Sequence, residues 1–358
     1  MSYVLALLGF VMLVILHEAG HFAAAKAVGM RVERFALFFP PLLFRKQIGE
    51  TEYAIGAIPA GGYVKITGMN PDEKLPDEVR TRAYYSQPAW KRVVVIAAGP
   101  AVNFVLAAVL LLAFFLVHGP EFGTRQIDSV ARNLPAAGVL RPNDRILAVD
   151  GHAGGPKRIH DLIAAHRCPI QPPRAGCRAS KPVTLVVQRA STRLTVRLTP
   201  VYDASTKSMR VGFTYRFAHR PLPFGSAVDT TATTFWYFTK ETVKLPLRVF
   251  DAKKRKEIGT AVGAYDVTRQ TIQKDVGQSL GIIALISLSL AIINLFPFLP
   301  LDGGHIFWAI VEKVRRRPVP FSVMERASVI GFVLVLGFFF IGLSNDIGRL
   351  TGNGFQVR

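Results

Sequence analysis

The stretch LHEAGHFAAA, residues 16–25, places two histidines and a glutamate inside a run that is otherwise apolar from about Val4 to Val28. Roughly 20 apolar residues carry a helix across a bilayer, so the run reads as a membrane span interrupted by polar groups. His17 and His21 are four residues apart, which on a helix sets them on one face, one turn above the other. Two imidazoles so placed can grip one metal ion, and Glu18 beside them can serve as a general base without being a ligand. Strongly polar residues at span depth cost about 2.5–3.5 kcal/mol each on insertion scales. Three of them in one span point to a buried use.

The rest of the chain extends the membrane reading. Half of the 358 residues are hydrophobic, and further apolar runs lie at Val93–Val117, Leu280–Leu299 and Val329–Leu343. This predicts about four spans and excludes a simple soluble enzyme. The first run has no positive segment ahead of it and continues apolar through Ala25, so it reads as a retained span rather than a signal peptide. The formal charge of +20 is dispersed among the spans, with no nucleic-acid-binding fold signature. The expected partner for that charge is the lipid bilayer, not nucleic acid.

Short-loop charge sets the expected orientation. Lys and Arg crowd the segment between Lys26 and Arg92 and recur at Lys313–Arg317, so both loops are expected on the cytoplasmic side of the inner (plasma) membrane. Both chain ends and the segment 118–279 are then extracytoplasmic. Trp90, Lys91 and Arg92 stand just ahead of the second span, where interfacial anchors belong.

Between the first two spans, Gly49–Gly68 alternates small, apolar and polar residues with Gly and Pro, which predicts short strands in a small membrane-associated sheet. The second span carries AAGPAVNFV, residues 97–105; its small residues permit close helix packing. Asn103 there reads equally as an interhelical hydrogen bond or as active-site lining. The outer segment from Arg125 to Pro200 alternates short strands with a helical stretch through His160–Arg167 and a hairpin built from VTLVVQR and RLTVRLTP. Its PAAGV at 135–139, its turn at Asn143–Arg145, ILAV at 146–149 and the Asp150-Gly151 turn resemble a PDZ domain. Asn143 stands where that family usually has Gly, which Asn can replace because it tolerates left-handed backbone. Cys168 and Cys177 flank an insert before the hairpin; a short-loop disulfide and two free thiols are both open readings. His152, His160 and His166 read as ordinary surface or packing residues. Phe235–Ile258 mixes aromatic and basic residues around Pro246, which suits an amphipathic membrane-surface segment or a solvated linker.

A catalytic zinc wants a third protein ligand and an open position. INLFPFLPLDGGH, residues 293–305, offers Asp302 where Pro297 and Pro300 break the third span and Gly303-Gly304 allow a close turn. Broken backbone at membrane depth is tolerated where protein or trapped water satisfies it. Asn294 could hydrogen-bond the oxyanion of a tetrahedral intermediate, or merely pack. His305 follows the turn and is expected to be at most an outer partner of the site.

Taken together, HEAGH at 17–21, GGYVK at 61–65, GPAVN at 99–103 and NLFPFLPLDGG at 294–304 resemble the site-2 protease family of intramembrane zinc metalloproteases, and the single PDZ-like domain resembles its regulator-of-sigma-E protease branch. The match covers residues 1 to about 200 and 280 to 345. The resemblance implies Zn2+ held by His17, His21 and Asp302, with Glu18 as the catalytic base; Asn294 is the further catalytic candidate read from its own position. It also implies cleavage within or near the transmembrane helix of a single-pass membrane protein, of the anti-sigma-factor or remnant-signal-peptide type. The PDZ-like domain would bind a peptide end or act as a size filter, and an unwound substrate could pair with a sheet edge near Ala54–Ile66.

The expected fold is a polytopic α-helical membrane protein with a small sheet and an extracytoplasmic PDZ-like α+β domain. The expected divisions are a catalytic core at 1–118, with its sheet at about 49–68, the PDZ-like domain at 124–200, a linker at 201–279, the second half of the core at 280–345 and a tail at 346–358. Two other function classes fit the same residues less well. A metal-ion transporter would leave Glu18 without a task and lacks an inverted-repeat pair of broken helices. A proteolytically inactive PDZ adaptor would not need His17, Glu18, His21 and Asp302 together.

Overall fold

The computed structural model describes residues 2–70, 73–170 and 172–352. It divides into two compact units: Met1–His118 together with Leu222–Arg358, and Gly119–Pro221.

The first unit opens with α1 (Ser2–Ala27), the interrupted apolar run as one continuous helix. β1 (Val32–Ile48) and β2 (Thr51–Ile66) follow, then the short α2 (Asp77–Arg80) and α3 (Ala89–Val117), the second span. The sheet therefore begins at Val32, well before the expected Gly49. Its register is doubled: Val32–Leu37 pairs with Ile66–Gly62 on one side, and Arg34–Leu37 lies beside Glu52–Ile55 on the other. Leu42–Ile48 pairs back with Gly56–Thr51. Among the described residues, Gly62–Ile66 takes pairing from Leu37–Val32 alone and so forms an edge. Beneath the sheet, Ala25, Met30, Val32, Ile66, Tyr84, Val95 and Ile96 form one buried cluster that ties the end of α1 and the start of α3 to it.

The second unit holds β3 (Glu121–Val130), β4 (Arg145–Val149), β5 (His152–Ala153), α4 (Pro156–Ala164), β6 (Val183–Arg189), β7 (Thr192–Leu198), β8 (Val201–Asp203), β9 (Ser208–Arg210) and β10 (Phe213–His219). The main sheet runs β10-β3-β4-β6-β7, with β5 on β4, and β8 and β9 form a separate hairpin. Ile159 and Ile163 of α4 enter its core with Ile127, Ile146, Val149 and Leu185. The hairpin of β6 and β7 is as expected. The helix comes earlier than His160–Arg167, and the unit extends past Pro200 because β10 closes the sheet against β3. Asn143 has φ 71, the left-handed backbone expected of it. Cys168 and Cys177 are joined in a disulfide.

The chain then returns to the first unit as α5 (Phe224–Val243), α6 (Leu245–Arg248) and α7 (Ala261–Lys274). The expected linker at 201–279 is thus divided: 201–221 belongs to the sheet unit and the remainder to the helical one. Ala227 of α5 is buried with Leu111, Phe115 and Ala284, and Phe235 and Phe238 pack against Ala107, Leu288 and Ile292. α5 is thereby wedged against spans two and three. α8 (Val276–Asn294) is the third span. It stops five residues before the expected Leu299, because no helical path continues into Pro297. α9 (Asp302–Arg315) begins after the break, and α10 (Phe321–Thr351) is the fourth span, longer at both ends than Val329–Leu343. Of the expected tail, 346–351 is the end of α10 instead, and 353–358 lies outside the described residues. The four long apolar helices α1, α3, α8 and α10 are each of a length and composition to cross a membrane.

Candidate active site

α1 and the start of α9 bring three donor atoms together. The Nε2 atoms of His17 and His21 are 3.2 Å apart, and the Oδ2 of Asp302 lies 3.2 Å from the first and 3.3 Å from the second. Helical spacing accounts for the histidine pair. The break after Asn294 accounts for Asp302, which the restarted helix presents in its first turn. That turn closes tightly, since a β-carbon on Gly303 would overlap the carbonyl oxygen of Leu295.

Both imidazoles are held from behind by α3. His21 Nδ1 donates to the Val95 carbonyl oxygen at 2.9 Å. A carbonyl only accepts, so the proton sits on Nδ1 and the Nε2 lone pair faces Asp302. Gly99 makes room for that ring: a β-carbon there would overlap His21 Nε2. His17 Nδ1 is 3.3 Å from the side-chain amide of Asn103, which is fully buried and whose Oδ1 has no hydrogen-bond partner. Turning the amide over puts Oδ1 against Nδ1–H, satisfies both atoms and gives His17 the same tautomer as His21. Of the two readings of Asn103, the interhelical hydrogen bond is the one seen, made from α3 to a site histidine on α1, and Asn103 is not among the residues that line the adjoining cavity; its backbone carbonyl also accepts from Ser287 of α8.

The result is three acceptor atoms facing one another in a buried place. His17 and His21 are each 6% exposed, and the Asp302 Oδ2 is buried without a hydrogen-bond partner. Such a cluster calls for a cation. A tetrahedral zinc with bonds of about 2.0 Å spaces its ligands about 3.3 Å apart, so this triangle matches one face of that tetrahedron. The donor set fits the metal.

A cavity of about 580 Å³ opens beside the triangle, lined by Glu18, Asn294, His305 and the edge residues Gly62, Tyr63 and Val64. Glu18 is half-buried against the sheet. Asn294 places its Nδ2 3.4 Å from His17 Nε2, so all five sequence-derived residues converge. His305 lines the cavity and, as expected of an outer partner, is not among the described residues grouped closely enough to share a metal. Burial pushes its imidazole below the ordinary histidine range, in favour of the neutral form. The sequence reading missed the Val95 carbonyl and the spacing roles of Gly99 and Gly62. The only signal for the last two was their place in GPAVN and GGYVK.

The family model for Peptidase family M50 matches residues 5–338. The chain belongs to that family. Among relatives of the M50 chain, three proteins named provisionally as zinc metalloproteases align over nearly their whole length. That of Clostridium perfringens is 29% identical over 97% of this chain and 98% of its own. That of Nostoc is 28% identical over 98% and 97%, and that of Brucella suis 29% over 93% and 92%. Among solved structures, the PDZ domain of an SdrC-like protein from Listeria monocytogenes is similar over 26% of this M50 chain and 88% of its own, at 18% identity and TM-score 0.22.

Proposed function

We propose that this M50 protein is a zinc endopeptidase that cuts single-pass membrane proteins within or near their transmembrane segment. The observation that carries the reading is the triangle of His17, His21 and Asp302 donor atoms in a cavity shared by an acid and a free sheet edge. His17, His21 and Asp302 are the ligands. A zinc ion held there would supply Lewis acidity, which polarises a peptide carbonyl and makes bound water easier to deprotonate.

Glu18 accepts the proton of the attacking water and returns it to the leaving amine. The Asn294 side-chain N–H donates to the oxygen that becomes negative as the carbonyl turns tetrahedral. A peptide bond inside an intact helix is shielded, so the substrate must be extended before attack. Gly62–Ile66 offers unpaired backbone groups along the cavity, and an extended segment adding to that edge lies beside Glu18. Anti-sigma factors and remnant signal peptides are the substrate types this reading favours, in regulated intramembrane proteolysis. The PDZ-like unit screens the substrate's outer portion, by peptide capture or by size. The basic loops favour a site toward the cytoplasmic side of the inner membrane, with both chain ends extracytoplasmic.

The test replaces Glu18 with Gln and follows cleavage of a single-pass model substrate in detergent, with zinc content measured in parallel. Zinc is expected at the parental level while cleavage is lost. Cleavage by Glu18→Gln at the parental rate would overturn the mechanism.

A further inference from the structure

One buried ion pair takes no part in the chemistry above. Arg92, in the first turn of α3, places its Nη2 2.6 Å from the Oε2 of Glu312 on α9, and the two side chains are 9% and 10% exposed. Sequence position marks Arg92 as an interfacial anchor, yet the structure turns it inward. Its guanidinium lies 5.9 and 5.4 Å from the ring centres of Tyr84 and Tyr85. The other Glu312 oxygen accepts from the backbone N–H of Val319 at 3.2 Å, on the segment that leads into α10.

Such a pair is a poor device for stability alone. Each buried ion loses several kcal/mol of hydration, and well-packed apolar replacements are often as stable or more so. Arg92 Nε is also buried without a hydrogen-bond partner, so the guanidinium is incompletely satisfied. What a buried pair does supply is a single register, because charge cannot slide along an apolar surface as a leucine can.

α9 needs one register. Its first residue is Asp302, and the segment before it, Leu295–Leu301, is not helical. In its far half Ala309 is buried and Val311 packs beside Val319 and Met324, but Ile310 is 50% and Val314 77% exposed. Glu312 lies about 15 Å along the helix from Asp302 at 1.5 Å per residue. The helix it grips is the one that orients the other ligands, because Val95, Gly99 and Asn103 all belong to α3. Ligand distances in a metal site tolerate only about 0.2 Å, so a small slip of α9 on α3 would open the triangle.

We infer that Arg92 and Glu312 are positioning residues for the metal site, holding α9 against α3 in the register that brings Asp302 to His17 and His21. This rests on the zinc reading given above.

The experiment compares the full-length parent with R92M, E312M, the R92M/E312M double variant and R92K in detergent. It records thermal unfolding, the rate of zinc loss to a chelator, and kcat and KM on the model substrate. The single Met variants are expected to lose thermal stability, since each leaves one buried charge unpaired. The double variant is expected to regain the parental midpoint, yet to release zinc at least tenfold faster and to cleave with lower kcat at little-changed KM. R92K, which keeps the charge and loses the planar fork, is expected to fold and to release zinc faster, and it decides the matter if the double variant does not fold. Parental zinc release and kcat in either folded variant would overturn the inference and leave the zinc reading standing. A parent that binds no zinc would overturn both.

Discussion

Gly62 of β2 lies so close to Glu18 of α1 that a β-carbon on Gly62 would stand 2.9 Å from the Glu18 Cγ and 3.0 Å from the Ala36 carbonyl oxygen. The free edge of the sheet and the proposed base are therefore packed as one surface. Gly62→Ala is expected to displace the Glu18 side chain by a fraction of an ångström to an ångström. Misplacement on that scale costs roughly 10²-fold in rate, so kcat should fall by about that factor while zinc content is unchanged. Parental kcat in Gly62→Ala would show that Glu18 has room to spare and that this contact is not tuned.

Gly99 gives the complementary case, on the metal side. A methyl group there would overlap His21 Nε2, the atom that must face the ion. Gly99→Ala is expected to turn the ring or push α1 from α3, and metal content at limiting free zinc should fall at least tenfold, the loss typical of disturbed outer partners. The check is zinc titration of the purified protein by competition with a chromophoric chelator. Unchanged zinc affinity would mean that the two helices adjust without moving the ligand.

These two glycines mark the limit of what the sequence discloses. HEAGH could be read because an i, i+4 pair projects from one face of any helix, and Asp302 because a Pro-rich break in an apolar run is itself an anomaly. Gly62 and Gly99 act only through what stands opposite them, 44 and 78 residues along the chain from Glu18 and His21. No local pattern carries that. β1 was hidden for another reason: FALFFPPLLF at 35–44 is a continuous apolar run with two prolines, and it lacks the alternation that announces a strand. Arg92 passed for an anchor because its partner, Glu312, is supplied by an element more than 200 residues later.

The second unit has its own buried charge. Asp144 is 1% exposed and accepts from Arg189 Nε and Nη2, each at 2.8 Å, and from the Arg141 backbone N–H at 2.8 Å. The Arg189 hydrogen bonds outweigh burial and hold the Asp144 carboxyl below the ordinary aspartate range. A carboxyl so depressed stabilises the fold fully above its unfolded value of about 3.9, and this contribution is lost as pH falls from there through the folded value. Asp144→Asn is expected to cost about 1–3 kcal/mol at neutral pH, because the Arg189 partner remains solvated, and to remove that part of the acid sensitivity. Hydrogen exchange of β4 and β6 in the full-length protein checks both. Parental exchange in the variant at pH 7 would refute the assignment.

Cys168 and Cys177 close a loop with a sequence separation of nine, which is tied to the neighbouring β8 by Tyr202 N–H to the Cys177 carbonyl oxygen. Loop closure of that size contributes roughly 2–3 kcal/mol. The Cys168→Ser/Cys177→Ser variant is expected to show faster hydrogen exchange around 168–179 and a lower midpoint for the second unit, with zinc content unaltered. A change in zinc content would show that the bridge serves more than its own loop.

The distance along the chain between His21 and Asp302 has a consequence in time. At the usual 5–20 residues per second of synthesis, the interval between the two residues is about 15–55 s. Throughout it the nascent protein carries a base and two imidazoles but no carboxylate to close the donor set. Until α8 has been made and the chain restarts at Asp302, the donor set of the growing chain stays incomplete.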